Sequence, residues 1–340
     1  MTPKERVYSR LKSGSVDIIP NFSIVMLFAA YHAGIPYDVF CSDYRALVKA
    51  QTLTAKDFGL DILSSMSDPF RETYDYGGPV RFVDDNLPAC DGATFSDLDS
   101  WNTKLKHWDP FQSTRILDRI KAIELFRKEN GEEYPILGWV EGPFAEFCDL
   151  ATISEGMMML YDSEDEINSC LDFITDQQIS VALAQVESGA DIIGMGDAAA
   201  SLISNDMYCN LIQKREERII KAVQDAGAIC KLHICGDINH ILPAVIDTGA
   251  KIVDIDYMVD FDNAMALAKG RCSICGHIEP AGVILRGNPS EIKGWVDFCV
   301  EHGNADSIVS SGCEVPKSTP PENLMAIHDR LVEIGPKQGR

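Results

Sequence analysis

Two short runs hold the residues best suited to chemistry in this chain: His233-Ile-Cys235-Gly and, much farther along, Ser310-Ser-Gly-Cys313-Glu-Val-Pro. Each lies where an apolar run gives way to turn residues. One imidazole and two thiolates together could make a His/Cys/Cys zinc site. Three protein ligands with a fourth position open is the catalytic form of such a site, because water or a substrate thiolate needs that position. His233 and Cys235 stand two apart, so on an extended strand both side chains project to one side and can share one ion. Cys313 is too distant for any local motif to deliver it, and only a fold can bring it in. The plain alternative for both cysteines is burial, since a free thiol packs as a small hydrophobe.

Cys272-Ser-Ile-Cys275 has the spacing of zinc ribbons and redox motifs but lies inside a strand-like run, where its two side chains point to opposite faces. No second such pair accompanies it, and it is read as structural.

The elements that must position these residues are legible from about residue 134 onward. Apolar runs rich in Ile and Val alternate with amphipathic segments, the pattern of repeated strand-helix units around a parallel sheet. Strands are predicted at Tyr134 to Val140, Ala190 to Met195, Ile229 to Ile234, Lys251 to Ile255, Arg271 to Ile274 and Ser307 to Ser310. Helices are predicted at Asn205 to Val223, Ile238 to Thr248, Ala264 to Lys269 and Ser290 to His302, several of them opened by Ser, Asn or Asp caps. Strands this uniformly apolar are buried on both faces, so the expected fold is an α/β (β/α)8 TIM-type barrel, with a doubly wound open sheet as the alternative. The first 130 or so residues are less regular and read as an elaborated N-terminal region containing the Gly77-Gly78-Pro79 turn and the Trp101 to Trp108 segment. No Pro/Gly/Ser linker breaks the chain, and residues 1–340 are expected to be a single domain.

In such a barrel the carboxyl ends of the strands converge on one mouth, where active sites are built. Glu141, Asp197, His233 with Cys235, Asp256 with Tyr257, His277 with Glu279, and Cys313 all fall just past predicted strand ends. Asp197 and Glu141 are the candidate acid/base groups, and Tyr257, His277 and Glu279 the candidate substrate-binding residues. Asp197 could equally cap the segment after it, and His277 could serve a structural hydrogen bond. Asp254 and Asp256 flank Ile255 and could point one way from a strand end. The fourth metal position is open to Glu141, Asp197, His277 or water.

The runs Gly138-Trp-Val-Glu-Gly-Pro-Phe144, Gly189-Ala-Asp-Ile-Ile-Gly-Met-Gly-Asp197, His233-Ile-Cys-Gly236, Gly276-His-Ile-Glu-Pro280, Ser311-Gly-Cys-Glu-Val-Pro316 and Thr319-Pro-Pro-Glu-Asn323 resemble the uroporphyrinogen decarboxylase superfamily over nearly the whole chain. More narrowly, His-x-Cys with a distant Gly-Cys resembles its corrinoid-dependent branch, typified by methylcobamide:coenzyme M methyltransferases. That resemblance implies a barrel and zinc (Zn2+) on His233, Cys235 and Cys313. It also implies a methyl group moved between a corrinoid (a cobalamin) and a small thiol or a methoxylated or methylated compound, O-demethylation included. Asp197 matches an acidic position of the family and is carried over as a pocket residue. Decarboxylases of the family show an arginine-rich N-terminal substrate segment, whereas Pro20-Asn-Phe-Ser-Ile-Val-Met-Leu-Phe28 offers a polycarboxylate no cation. Phe22, Met26, Phe28 and Tyr31 could wall a pocket or belong to a core helix. No D-x-H-x-x-G corrinoid pattern occurs, so the corrinoid is expected on a separate protein. The rivals are a metal-free decarboxylase or lyase using Asp197, and a non-catalytic corrinoid- or tetrapyrrole-handling protein.

Composition narrows the partners. Thirty Lys and Arg against 52 Asp and Glu give a formal charge of −22, which disfavours nucleic acid and anionic membranes and could help dock a partner protein. Eleven cysteines, an odd number with no signal-peptide pattern ahead of them, fit reduced thiols in a cytoplasm. No apolar run approaches the ~18 residues of a membrane span. A homodimer is compatible with the sequence.

Overall fold

The computed structural model describes residues 1–337. Its strands are β1 (Leu63–Ser64), β2 (Val80–Val83), β3 (Asn86–Cys90), β4 (Ile136–Glu141), β5 (Ile192–Gly196), β6 (Ile229–Ile234), β7 (Ile252–Ile255), β8 (Ser273–Ile278) and β9 (Ile308–Ser311). β1 and β4 to β9 pair in parallel, in that order, as one sheet. Its two edges meet around residues 20–22. Phe22 N donates to Val309 O (2.9 Å), Val309 N to Pro20 O (3.1 Å), and Asp61 N to Asn21 O (2.9 Å). This short extended stretch, bridged in parallel to Val309, is the eighth stave and closes a (β/α)8 barrel. The closure sets aside the open doubly wound sheet.

Each stave is followed by helix: α2 (Tyr44–Phe58), α3 (Arg115–Asn130), α4 (Pro143–Ala151) with α5 (Glu164–Glu187), α6 (Gln213–Asp225), α7 (Leu242–Asp247), α8 (Phe261–Ala268), α9 (Pro289–His302) and α10 (Pro321–Ile334). The leading helix α1 (Pro3–Arg10) carries a capping box between Thr2 and Glu5. Its Val7, with Leu11 just beyond, joins Phe22, Ile62, Ile252 and Ile308 in the apolar cluster that fills the barrel. Outside the staves a larger cluster seals them to the helices. Strand alternation does the sorting: Cys230, Leu232 and Ile234 of β6 face the helix layer, and Val253 and Ile255 of β7 do the same.

Trp139 points into the barrel and belongs to the inner apolar cluster. Its indole lies against β5, where a Cβ added at Gly194 or Gly196 would run into the ring; at Gly196 the separation would be 2.6 Å. The two glycines are therefore sites of close approach, and the G-M-G of the β5 sequence exists to seat an indole.

Three sequence expectations shift. β8 runs on to Ile278 instead of stopping at Ile274, so His277 lies within a strand and not beyond one. α7 starts at Leu242 and not Ile238, because Pro243 fits only the first turn of a helix. α8 begins at Phe261, with the Asp260 side chain accepting from Asn263 N (3.0 Å). The N-terminal elaboration contains the separate antiparallel hairpin β2–β3. Below it, Arg115 and Arg119 of α3 reach the segment after β1, pairing with Asp68 (2.8 Å) and Glu72 (3.3 Å). No helix among the described residues is long and apolar enough to cross a membrane.

Candidate metal centre

On β6 the inward parity runs through Lys231 and His233 and continues to Cys235 just beyond the strand end. On β7 it runs through Asp254 and continues to Asp256. Register places His233 beside Asp254 on one side and Gly196 on the other, with Gly196 in turn beside Glu141. Cys313 follows β9 after Gly312, whose backbone packs so closely on β7 that an added Cβ would stand 2.7 Å from Tyr257 N and 3.0 Å from Asp256 Oδ1. Glycine there lets the Cys313 loop reach past β8 to the segment that follows β7.

The result is a convergence of three ligand atoms. One nitrogen of His233 and the sulfurs of Cys235 and Cys313 all lie within 4.8 Å of one another, and among the described residues this is the one group of His, Cys, Asp or Glu so gathered. Cys313 Sγ is 3.8 Å from His233 Nε2. Tetrahedral zinc with Zn–S of about 2.3 Å and Zn–N of about 2.0 Å separates ligand atoms by roughly 3.5 to 3.8 Å, so the trio fits such an ion with little adjustment.

The surroundings of His233 support the same fit. Its Nδ1 lies 3.0 Å from Asp254 Oδ2, somewhat off the line of an ideal N–H hydrogen bond, which leaves Nε2 facing the sulfurs. Lys231 forms a buried ion pair with the same Asp254 oxygen and stands 6.0 Å from the Trp139 ring centroid. Burial by itself would lower the His233 pKa, but Asp254 and Cys313 outweigh it and raise the value to about 9. The two thiols split in opposite directions: the hydrogen bond from Cys313 lowers Cys235, and the same bond raises Cys313. The contact thus favours the thiolate, the form a metal ligand must take, at Cys235 over Cys313.

The other expected site residues are distributed unevenly. Glu141 is at the mouth, its Oε1 accepting from Trp139 Nε1 (2.8 Å); burial and then Glu72 push its pKa well above the usual carboxylate range. Asp197 is turned aside. Its oxygens accept from Phe144 N (3.3 Å) and Ala145 N (2.7 Å) at the start of α4, and burial raises it to about 7. It does not cap the segment that follows it, the alternative weighed for it, but serves the start of α4 instead. Tyr257 lies beside the Cys313 loop through its backbone.

His277 is not brought to the cluster. Its ring stacks on Phe261 of α8 (4.3 Å between centroids), lies beside Trp295 and Phe298 of α9, and places Nδ1 3.8 Å from Cys299 Sγ. The inward alternation held by Cys275 breaks at Gly276, whose φ of +142° suits only glycine, and His277 emerges among the helices. Glu279 folds back over its own turn against Gly282. His277 instead lines, with Phe261, Trp295 and Phe298, a separate cavity of about 370 Å³ between α8 and α9. Phe22 does line the barrel, whereas Met26 and Phe28 belong to the outer core and Tyr31 is exposed. Cys272 and Cys275 fall in the outer and inner clusters respectively, as opposite faces require.

Sequence reading passed over Lys231 and Trp139. The signal for Lys231 was present: a lysine in the middle of an otherwise apolar strand, two before the candidate ligand, needs a buried carboxylate partner.

Residues 2–333 match the family model described as uroporphyrinogen decarboxylase (URO-D). The chain belongs to the uroporphyrinogen decarboxylase family. Within reach of it is a methylcobamide:CoM methyltransferase of Methanosarcina mazei, 26% identical over 332 residues, 95% of each chain. A methylcobamide:CoM methyltransferase of Methanosarcina barkeri is 30% identical over 222 residues, 64% of each chain. In fold, the family member resembles a solved methyltransferase from Methanosarcina mazei, with a TM-score of 0.90 at 24% identity over 98% of this chain and 99% of that one.

Proposed function

We propose that this member of the family is a zinc-dependent methyltransferase, acting as one barrel domain, that moves a methyl group between a corrinoid carried on a separate protein and a small substrate. The observation that carries this reading is the convergence of His233, Cys235 and Cys313 at the barrel mouth. Relatives named as methylcobamide:CoM methyltransferases support it.

His233 Nε2 and the two sulfurs would hold the ion, leaving a position for substrate. When bound, zinc would keep a thiol as its thiolate at neutral pH, or polarise the oxygen of a methyl ether, so that a methyl group can pass to or from the corrinoid. The chain's own residues do the rest. Asp254 orients the His233 ring and Lys231 neutralises Asp254. Trp139, seated on Gly194 and Gly196, closes the floor of the site and keeps water from entering from the barrel interior. Glu141, held by the Trp139 N–H with a raised pKa, is placed to keep or move a proton at Oε2 near the substrate position.

The test is metal content by plasma mass spectrometry on untagged protein, beside Cys235→Ala and Cys313→Ala. About one zinc per chain is expected in the wild type, lost in both variants, together with methyl transfer from methylcobalamin to a thiol or a corrinoid-dependent demethylation. Folded wild type that takes up no zinc even on reconstitution overturns the reading.

A further inference from the structure

We propose that the cavity between α8 and α9, on the helix side of β8, is a second binding site, separate from the metal cluster, and that its ligand is a small organic cation with an apolar body, an alkylated ammonium. The site stands whether or not the methyl-transfer reading does.

At about 370 Å³ the cavity has the size of a small-molecule site, and it is walled by the rings of Phe261, His277, Trp295 and Phe298 with the exposed carboxylates of Asp260 and Asp262 beside them. The rings do not form a single stack. Trp295 stands at 71° to Phe298 (6.2 Å between centroids) and at 66° to His277 (5.6 Å), while Phe261 and Phe298 lie 5.6 Å apart at 42°. Trp295 and Phe298 are only half-buried, so each keeps ring surface toward the cavity. Ring faces carry negative potential, and walls set at several angles can present it to one enclosed cation from more than one side.

His277 supplies the polar point among them. Its Nδ1 is engaged with Cys299 Sγ (3.8 Å), whereas Nε2 has no hydrogen-bond partner among the described residues and is not sealed from solvent, so it opens on the cavity. Burial lowers the imidazole pKa to about 4, so at neutral pH the ring adds no positive charge. The cations of the neighbourhood are engaged elsewhere or distant. Lys293 pairs with Glu333, and Arg330 with Asp297 (2.7 Å). His302 stacks on Phe298 and is spent on Asp262 (2.7 Å). Lys269 and Arg271 lie past the far end of α8 from Asp260. Asp260 gives Oδ1 to Asn263 N (3.0 Å) and has no cation paired with it among the described residues. An anion would find no guanidinium or ammonium here, and a neutral molecule would gain burial alone. A cation gains burial, the ring faces and Asp260 together.

Gly294 makes the site testable without breaking the fold, because a Cβ built there meets nothing within 4 Å and a larger side chain would grow into the cavity. The full chain is titrated calorimetrically with choline, its neutral isostere 3,3-dimethylbutan-1-ol and the anion 3,3-dimethylbutanoate. Choline should bind saturably, about tenfold or more tighter than the alcohol, with the anion weaker still. Gly294→Leu, which fills the space, and Trp295→Leu, which removes a wall, should each weaken choline by about tenfold or more, and Gly294→Leu should keep the wild-type Tm. Asp260→Asn, which can still cap α8, should weaken choline and not the alcohol. A Cys235→Ala/Cys313→Ala chain should bind choline as the wild type does. Equal binding of the alcohol, no saturation in the millimolar range, or choline binding indifferent to Gly294→Leu overturns the proposal. Choline binding lost in the double cysteine variant would put the cation at the barrel mouth and overturns it as well.

Discussion

Asp254 accepts two cationic contacts on one buried oxygen, Lys231 from below and His233 from above, and it is the residue on which the metal reading depends most after the ligands themselves. A carboxylate behind a ligating imidazole fixes which nitrogen faces the ion and strengthens it as a donor. Asp254→Asn should weaken zinc binding by roughly 10- to 100-fold, read by competition with a chromophoric chelator. Unchanged affinity would show that strand packing alone orients the ring. Lys231→Met, by contrast, leaves a buried carboxylate without its cation. It should cost about 3–5 kcal/mol in urea unfolding, a loss that a merely solvated lysine would not produce.

At the scale of elements, β4 and β5 act as a pair through Trp139, Gly194 and Gly196. Gly194→Ala pushes a methyl group into the Trp139 indole, a rigid ring and not the end of a flexible chain. The expected cost is about 1–3 kcal/mol of stability, with near-ultraviolet circular dichroism reporting the displaced tryptophan. The junction of α3 with the segment after β1 rests on Arg115 and Asp68, both buried. Burial alone would push the Asp68 carboxyl up, but Arg115, with help from Arg71 and the Ser67 hydroxyl, holds it below the usual carboxylate range. A carboxylate depressed in the fold contributes stability that is present above its unfolded pKa of about 3.9 and is lost as pH falls below that. Asp68→Asn should therefore destabilise by about 3–5 kcal/mol at neutral pH, and the gap to wild type should narrow as pH falls through 4 and below. A gap independent of pH would mean that packing, not charge, is what the substitution removes.

Across the whole molecule the buried acids act in the opposite sense. Burial raises Asp61 to about 6 and Asp197 and Glu314 to about 7, so between the ordinary carboxylate range and these values the folded chain binds more protons than the unfolded one. Stability then falls as pH rises across that window. The formal charge of −22 adds self-repulsion with the same sign. Urea unfolding should thus give a greater stability near pH 5 than near pH 8. The comparison belongs in a Cys235→Ala/Cys313→Ala background, where metal-linked protons drop out. Greater stability at pH 8 would mean that the buried acids are ionised in the fold and satisfied by contacts other than protons.

Alternation and strand ends were legible in the sequence because they are local: the two-residue spacing of His233 and Cys235 fixes their common face before any tertiary contact forms. The repeated strand-helix pattern likewise determined a parallel barrel from residue 134 onward. Two staves escaped notice because β1 is two residues long and the stretch at 20–22 is ordered only by its neighbours, Val309 and Asp61. His277 was misplaced for a similar reason, since a single glycine with positive φ reverses a side chain without altering the apolar pattern around it. The sequence by itself determined which residue types are available for chemistry. Only the tertiary structure decided that Cys313 meets Cys235 and that Asp197 turns to the start of α4, because each depends on how staves far apart in sequence are arranged around one mouth.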